Sequence, residues 1–327
     1  MIRGQNVVNN TPRRSGFSPI QRRIFHHPVR LKPDLPNVPR RSGFSLAAPS
    51  PHWGEGRGEG VFRQRGFTLI EAIIVITITA IIAAVVAVFI KSPIQGYFDS
   101  SRRAEMTDIA DTALRRISRD LHLALPNSVR VTNVGNVYYL EFLETSAGGR
   151  YRADTGTGAA DLACNTPLDF TTNTSSFCVL GPPIPATTTG LIAVYNLGIP
   201  GADAYTGVNT STITSVSGAQ INILPKLFPF ASPSSRFQVI STPVSYVCDP
   251  TAGTLTRYWG YPISAAQPTS FTGASSALLA THVSACTFSY TQQVITQQAG
   301  LVATTLQLTE SNETISLYEE THVSNVP

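Results

Sequence analysis

The longest hydrophobic stretch of the chain is Phe67–Ile90, in which Glu71 is the only charged residue among 24. At a helical rise of about 1.5 Å per residue, this stretch is long enough to cross the roughly 30 Å hydrocarbon core of a bilayer. The pattern therefore predicts a transmembrane helix over residues 67–90. Arg63 and Arg65 precede it, and this placement of basic residues favours a cytoplasmic N-terminus with the rest of the chain on the outer side.

A second helical pattern follows the apolar run. Apolar residues return at steps of three and four, the spacing of one helix face: Met106, Ile109, Ala110, Ala113, Leu114, Ile117, Leu121 and Leu125. We predict an amphipathic helical extension over residues 91–126, with a kink at Pro93. Charged residues fill the other face, where two i,i+4 ion pairs are expected: Asp111 with Arg115, and Arg116 with Asp120.

Residues 127–327 carry patterns typical of β-strands. The stretch SVRVTNVGNVYYLEFLE surrounds an Asn-Val-Gly-Asn turn, which predicts a hairpin. Residues 145–220 are rich in Thr, Gly, Ala, Ser and Asn, and they predict long loops with short strands. Near the C-terminus, TTLQLT and TISLYEETHV flank ESNE and predict a closing hairpin. A long helix followed by strands indicates an α+β fold, in which an antiparallel sheet packs on the helix.

The N-terminal segment differs from the rest in composition. Residues 1–65 hold 12 of the 24 Lys and Arg but only three of the 20 Asp and Glu, so the remainder of the chain is net acidic. We predict a disordered leader over residues 1–66 that is removed, or not translated if Val61 is the true start. A long cytoplasmic leader is the alternative. Because the basic excess is confined to this segment, we predict no nucleic-acid partner.

The four cysteines all follow the apolar run. An even count in a segment placed outside the cytoplasm favours disulfides. We favour the pairs Cys164–Cys178 and Cys248–Cys286, although four cysteines allow three connectivities and four buried free thiols are a further alternative. Their spacing is unlike that of a zinc site, and we predict no metal.

Motifs of catalysis are absent from the sequence. It contains no Walker A, H-E-x-x-H or G-x-S-x-G pattern. The histidines after the apolar run are isolated: His122, His282 and His322. Residues 154–161 resemble a calcium loop and residues 258–261 an aromatic patch, but a flexible loop and core packing are the simpler interpretations. We therefore expect a protein that is not an enzyme and has no cofactor.

Glu71 carries the clearest functional signal. A carboxylate within an apolar membrane helix costs a few kcal/mol, so such residues are functional candidates. The alternative is that Glu71 lies near enough to the cytoplasmic interface to reach lipid headgroups.

The residues around Glu71 resemble a known family. Arg65-Gly66-Phe67-Thr68-Leu69-Ile70-Glu71 is similar to the class III leader and mature N-terminus of type IV pilins and type II secretion pseudopilins. The resemblance implies the type IV pilin fold, cleavage between Gly66 and Phe67 by a prepilin peptidase, and methylation of the Phe67 amine. Glu71 of one subunit would then meet the Phe67 amine of its neighbour. Such pairing offsets the burial of the charge and fixes the register of assembly.

Later stretches narrow the resemblance. YNLGIPGADAY and RFQVISTPVSYVCDPTAGTLTRYWGY resemble large minor pilins of the MSHA (mannose-sensitive haemagglutinin) type of type IV pilus. This implies a single-pass inner-membrane protein with a periplasmic C-terminal domain, which later enters the pilus and could lie at its tip. The implied partners are the prepilin peptidase, other pilin and minor pilin subunits, and the inner-membrane assembly platform. A type II secretion pseudopilin and a signal-anchored periplasmic enzyme or binding protein are the alternatives.

Overall fold

The computed structural model describes residues 66–157, 164–292 and 299–327. The predicted leader up to residue 65, including the alternative start at Val61, lies outside these residues. So does the second half of residues 154–161, the stretch that resembles a calcium loop and was interpreted as a flexible loop. Within the described residues the chain forms one long helix followed by twelve strands, so the predicted α+β order is confirmed.

Helix α1 extends over Leu69–Leu121 and joins the two predicted helical segments into one element of 53 residues. Pro93 lies inside it, and the helix continues through this residue although proline has no N–H to bond to the carbonyl four residues earlier. The helix ends before the Pro126 boundary expected from the sequence. Leu125 belongs to the predicted apolar stripe and is fully buried, but it lies beyond the helix end.

The strands pair only in antiparallel fashion in the described residues. They are β1 (Arg130–Val134), β2 (Val137–Tyr151), β3 (Thr174–Leu180), β4 (Leu191–Val194), β5 (Thr210–Ser217), β6 (Gln220–Lys226), β7 (Arg236–Asp249), β8 (Thr254–Trp259), β9 (Ser275–Ala280), β10 (Val283–Thr291), β11 (Ala299–Glu310) and β12 (Glu313–Ser324).

Two sheets are present, whereas the sequence suggested one. Nine strands form the larger sheet in the order β1-β2-β3-β6-β5-β4-β7-β8-β9, and β2 also pairs with β7. Strands β2, β3, β6, β5, β4 and β7 therefore close into a ring. The ring has a hydrophobic core of its own, which includes Tyr151, Phe177, Ile192, Ile213, Ile221 and Phe237. The segment predicted as long loops with short strands supplies β3, β4 and β5 to this ring.

The smaller sheet, β10-β11-β12, packs together with α1. The buried stripe of α1 shares one core with Leu140, Phe142 and Tyr246 of the larger sheet, and with Val302 and Leu306 of the smaller one. The C-terminal half of the helix is therefore held by both sheets.

Both predicted hairpins are present. Strands β1 and β2 meet across a two-residue loop that begins at Gly135, where φ is +60°. Strands β11 and β12 meet across Ser311 and Asn312, whose φ values of +50° and +67° match the positive dihedrals of a type I′ turn.

Two disulfides close the domain, and they have the pairing that the sequence analysis favoured. Cys164–Cys178 ties the loop before β3 to that strand, and Cys248–Cys286 links β7 of the larger sheet to β10 of the smaller one. The described residues contain no free cysteine.

Candidate processing and assembly site

The segment Gly66–Glu71 forms the start of the helix and is open to its surroundings. A Cβ atom built on Gly66 would have no atom within 4 Å, and Phe67 is 80% exposed. The described part of the chain therefore places nothing over the Gly66–Phe67 peptide bond.

Thr68 fixes the point at which the helix begins. It has extended backbone angles, and its hydroxyl accepts a hydrogen bond from the backbone N–H of Glu71 at 3.2 Å. Threonine followed three residues later by glutamate is the sequence of a capping box, a signal that the sequence analysis missed. Glu71 also lies in the first turn, where the helix dipole favours a negative charge. The carboxylate of Glu71 therefore has a second physical role, which is to stabilise the start of the helix through the dipole.

The Glu71 carboxylate is exposed, and no side chain among the described residues binds it. The structure thus brings Gly66, Phe67 and Glu71 into one short segment, but it holds no partner for the carboxylate within this chain. Any counter-charge must come from outside the described residues.

The first half of α1 is uncovered along its whole length. Residues from Phe67 to Phe98 are exposed, and α1 is the one helix in the described part of the chain that is long and apolar enough to cross a membrane. The polar hydroxyls of Thr77 and Thr79 donate to carbonyls four residues earlier, at 2.9 and 2.7 Å. These bonds satisfy both groups without water, as a lipid environment requires.

A buried ionic cluster attaches the second half of α1 to the domain. Asp120 is buried; its Oδ2 lies 2.7 Å from Nε of Arg257 and accepts a 2.8 Å hydrogen bond from the Tyr246 hydroxyl. Its Oδ1 lies 3.0 Å from Nε of Arg116. The predicted i,i+4 pair of Arg116 with Asp120 is therefore confirmed, but its placement on the face away from the apolar stripe is wrong, because the Asp120 carboxylate faces the sheet. The Asp111–Arg115 pair, in contrast, is on the exposed surface as predicted.

A second buried carboxylate, Glu141, anchors the start of the larger sheet. Nε of Arg130 donates to it at 2.6 Å and the Tyr261 hydroxyl donates at 3.1 Å. The Arg130 guanidinium also lies 3.5 Å from the centre of the Tyr205 ring. Burial raises the pKa of the Glu141 carboxyl, and the opposing effect of Arg130 and Tyr261 is smaller. This cluster is enclosed by its own partners and forms part of the domain framework.

The other sequence candidates do not come together as a site. The three histidines are exposed and separate, and the described residues contain no group of three or more His, Cys, Asp or Glu side chains placed to hold a metal. Tyr258 and Tyr261 both pack on Phe271, with ring centres 4.6 and 5.2 Å apart. Trp259 lies against the Arg257 guanidinium. These contacts favour packing as the role of the aromatic residues.

Comparison with known proteins gives one match. A family model described as the prokaryotic N-terminal methylation motif matches residues 61–87, which include the exposed cleavage segment and most of the apolar run. No curated protein and no solved structure matches the chain. The motif indicates a prepilin-like protein that prepilin peptidase processes, and it implies pilus assembly with other pilins. Together with the helix-then-sheet architecture, it supports a type IV pilin-like family and a single-pass membrane anchor.

Proposed function

We propose that this chain is a non-enzymatic minor pilin of an MSHA-type type IV pilus, similar to the MSHA biogenesis protein MshO. It is inserted in the inner membrane with its N-terminus in the cytoplasm and its β-rich domain in the periplasm. After cleavage it joins or primes the filament, where it supports surface attachment. One observation carries this proposal: the methylation motif coincides with an accessible glycine and a fully exposed apolar half-helix.

The geometry supports a sequence of events in which cleavage precedes assembly. The accessible Gly66–Phe67 bond is cut by the prepilin peptidase, and the new Phe67 amine is methylated. Pairing between that amine in one subunit and Glu71 in the next removes the cost of a lone carboxylate in an apolar environment. A subunit inserted out of register leaves the charge unpaired. Glu71 therefore selects the correct register as the exposed half-helices pack together.

The first test concerns cleavage. In cells with the peptidase, intact-mass analysis should find a chain that begins at methylated Phe67. Gly66→Ala should remain uncut, because the added methyl group obstructs the approach of the peptidase to the backbone. Gly96→Ala is the matched control: a Cβ at either glycine meets no atom of this chain within 4 Å. An uncut wild-type chain, or equal cleavage of both variants, would contradict the proposed processing.

The second test separates the two physical roles of Glu71. Glu71→Leu should be cleaved but should enter filaments poorly, because its charge is absent. Thr68→Ala removes the helix cap while keeping the carboxylate, and it should assemble nearly normally. Glu105→Leu removes an exposed acid from the same helix outside the membrane and serves as the control. If Thr68→Ala impairs assembly as much as Glu71→Leu, the stability of the helix start explains the defect and the register role is wrong.

A third test distinguishes a pilus subunit from a type II secretion pseudopilin. The N-terminal segment of this chain resembles both classes, so the motif alone does not separate them. Deletion of the gene should reduce surface pili and adhesion while protein export is unchanged. Loss of export with normal pili would instead assign the chain to a type II secretion system.

A further inference from the structure

An apolar stripe continues past the predicted membrane span. Ile94, Tyr97 and Phe98 are 48, 72 and 57% exposed, and their spacing places them on one face of α1. They follow Lys91, which ends the uncharged run. Three neighbouring large apolar side chains on one helix face are rarely left exposed to water.

The folded domain does not cover this stripe. The first buried residue of α1 is Met106, and the buried stripe that begins there continues to Leu121. At about 100° per residue, Ile94, Tyr97 and Phe98 lie roughly 160° around the helix axis from that buried stripe. The domain therefore packs on the opposite side of the helix, and whatever covers this stripe must come from outside the domain.

The length of the exposed helix matches a whole bilayer with its interfaces. Phe67–Phe98 comprises 32 residues, which as a helix span about 48 Å. At a typical tilt of roughly 20°, this length corresponds to about 45 Å along the membrane normal. Hydrocarbon core and headgroup layers together measure about 40–45 Å. With Phe67 at one surface, Tyr97 and Phe98 reach the headgroup layer of the opposite leaflet.

We propose that Ile94, Tyr97 and Phe98 bind the headgroup layer of the leaflet opposite Phe67. Aromatic residues concentrate at this depth because their rings are apolar and the tyrosine hydroxyl is polar. Lys91 extends its ammonium toward the lipid phosphates along its aliphatic stem. The Asp99–Arg102 ion pair then marks the first turn in water.

This anchoring gives the stripe a positioning role. The aromatic residues hold the helix at a fixed depth, so that the Gly66–Phe67 bond stays at the opposite surface. The domain contacts α1 at the Arg103–Glu313 ion pair, five residues beyond Phe98 or about 7 Å along the helix, so this contact lies beyond the stripe. The inference rests on the membrane-anchored stage of the proposed function, but it does not depend on cleavage or filament assembly.

The test is fluorescence quenching in vesicles that contain the full chain. Phosphatidylcholine is brominated near the headgroup end or near the terminal end of its acyl chains. Phe98→Trp should be quenched at least about twofold more by the shallow bromines than by the deep ones. Ile82→Trp, near the middle of the span, should show the reverse order. Tyr318→Trp, an exposed position on β12, is the control for a residue in water. The unsubstituted chain has two tryptophans of its own, so the quenching measured for that chain is subtracted from each value.

The outcomes distinguish this inference from the proposed function. If Phe98→Trp is quenched no more than Tyr318→Trp, the stripe lies outside the lipid and the lipid proposal is wrong. Deep quenching of Phe98→Trp would also overturn it. Shallow quenching together with an uncut N-terminus in cells would support the lipid contact while rejecting the pilin assignment.

Discussion

Asp120 connects α1 to the larger sheet, and replacing it with asparagine tests how strongly the domain holds the helix. The carboxylate contacts Arg257 on β8, Tyr246 on β7 and Arg116 on the helix itself. Asparagine has the same shape and keeps one oxygen acceptor, but it removes the negative charge. The Arg257 side chain is only 8% exposed, so it cannot replace the lost partner with water.

The expected loss of stability follows from the burial of this cluster. Removing one partner of a buried ion pair typically costs about 3–5 kcal/mol, because the remaining charge stays desolvated. Glu144 lies 3.4 Å from Arg257 and retains part of the compensation, so we expect about 2–3 kcal/mol for Asp120→Asn. Asp111→Asn is the matched control on the same helix. Its partner Arg115 is 75% exposed, and such i,i+4 pairs contribute only about 0.3–0.5 kcal/mol.

Urea unfolding of the full chain in detergent measures the difference. With a denaturant slope of about 3 kcal/mol/M, Asp120→Asn should lower the midpoint by nearly 1 M and Asp111→Asn by roughly 0.1–0.2 M. Tyr246→Phe removes one buried hydrogen bond to the same carboxylate and should cost about 1 kcal/mol. Equal, small shifts for the Asp120 and Asp111 variants would refute the reasoning, because the buried cluster would then give no net attachment.

Three further predictions concern the framework of the domain. Replacing both Cys248 and Cys286 with serine opens a loop with a sequence separation of 38 and should cost about 4 kcal/mol under non-reducing conditions; an unchanged urea midpoint would contradict this. Gly190→Ala should prevent folding, because its Cβ would lie 2.2 Å from a backbone carbonyl oxygen at a φ of +125°, whereas Gly218→Ala, at +56° with open space, should cost only about 1–2 kcal/mol. The pKa of Glu141 is raised by burial, so the folded state binds its proton more tightly than the unfolded state. The wild-type free energy of unfolding should therefore rise, relative to Glu141→Gln, as pH falls from 7 to about 4.5, and a constant difference would show that the pKa is not raised.

Local periodicity was sufficient to predict the helix and the hairpins. The uncharged run and the three- and four-residue steps that follow it define the two parts of α1, and turn residues mark both hairpins. The helix continues through Pro93, as the apolar steps on both sides of this residue predicted. The Thr68-x-x-Glu71 capping box was not used to predict where the helix begins, although this signal is visible in four residues.

Burial of Asp120 was harder to predict, because its pair with Arg116 has the same i,i+4 spacing as the exposed Asp111–Arg115 pair. The two pairs differ in their position around the helix axis. Asp120 follows buried Ile117 by three residues, and so lies at the edge of the buried stripe. The identity of its second arginine could not be predicted, since Arg257 is 137 residues away.

Closure of the ring of strands was hard to predict for the same reason as the Asp120–Arg257 pair, because both depend on contacts between residues far apart in the chain. Each strand of the ring has a local pattern, but closure depends on the pairing of β2 with β7, whose partners Tyr138 and Cys248 are far apart in the chain. Such pairings are set by the packing of the whole core, as in the cluster that contains Phe177 and Phe237, and not by the composition of one segment. The Thr- and Gly-rich stretch therefore predicted long loops with short strands, but not that these strands close into a ring.

The two halves of α1 have opposite physical requirements: the second half packs on the domain, and the first half needs an apolar surrounding from outside it. The second half is fixed to the domain by a buried apolar stripe and by Asp120, and the orientation of this half is therefore tied to that of the sheets. The first half has no partner within the described chain, so its stability depends on an apolar surrounding supplied from outside. In the proposed function, lipid provides that surrounding before assembly and other helices provide it afterwards. Under the same proposal, Glu71 is the position at which the two surroundings differ, because only a neighbouring subunit would bring it a counter-charge.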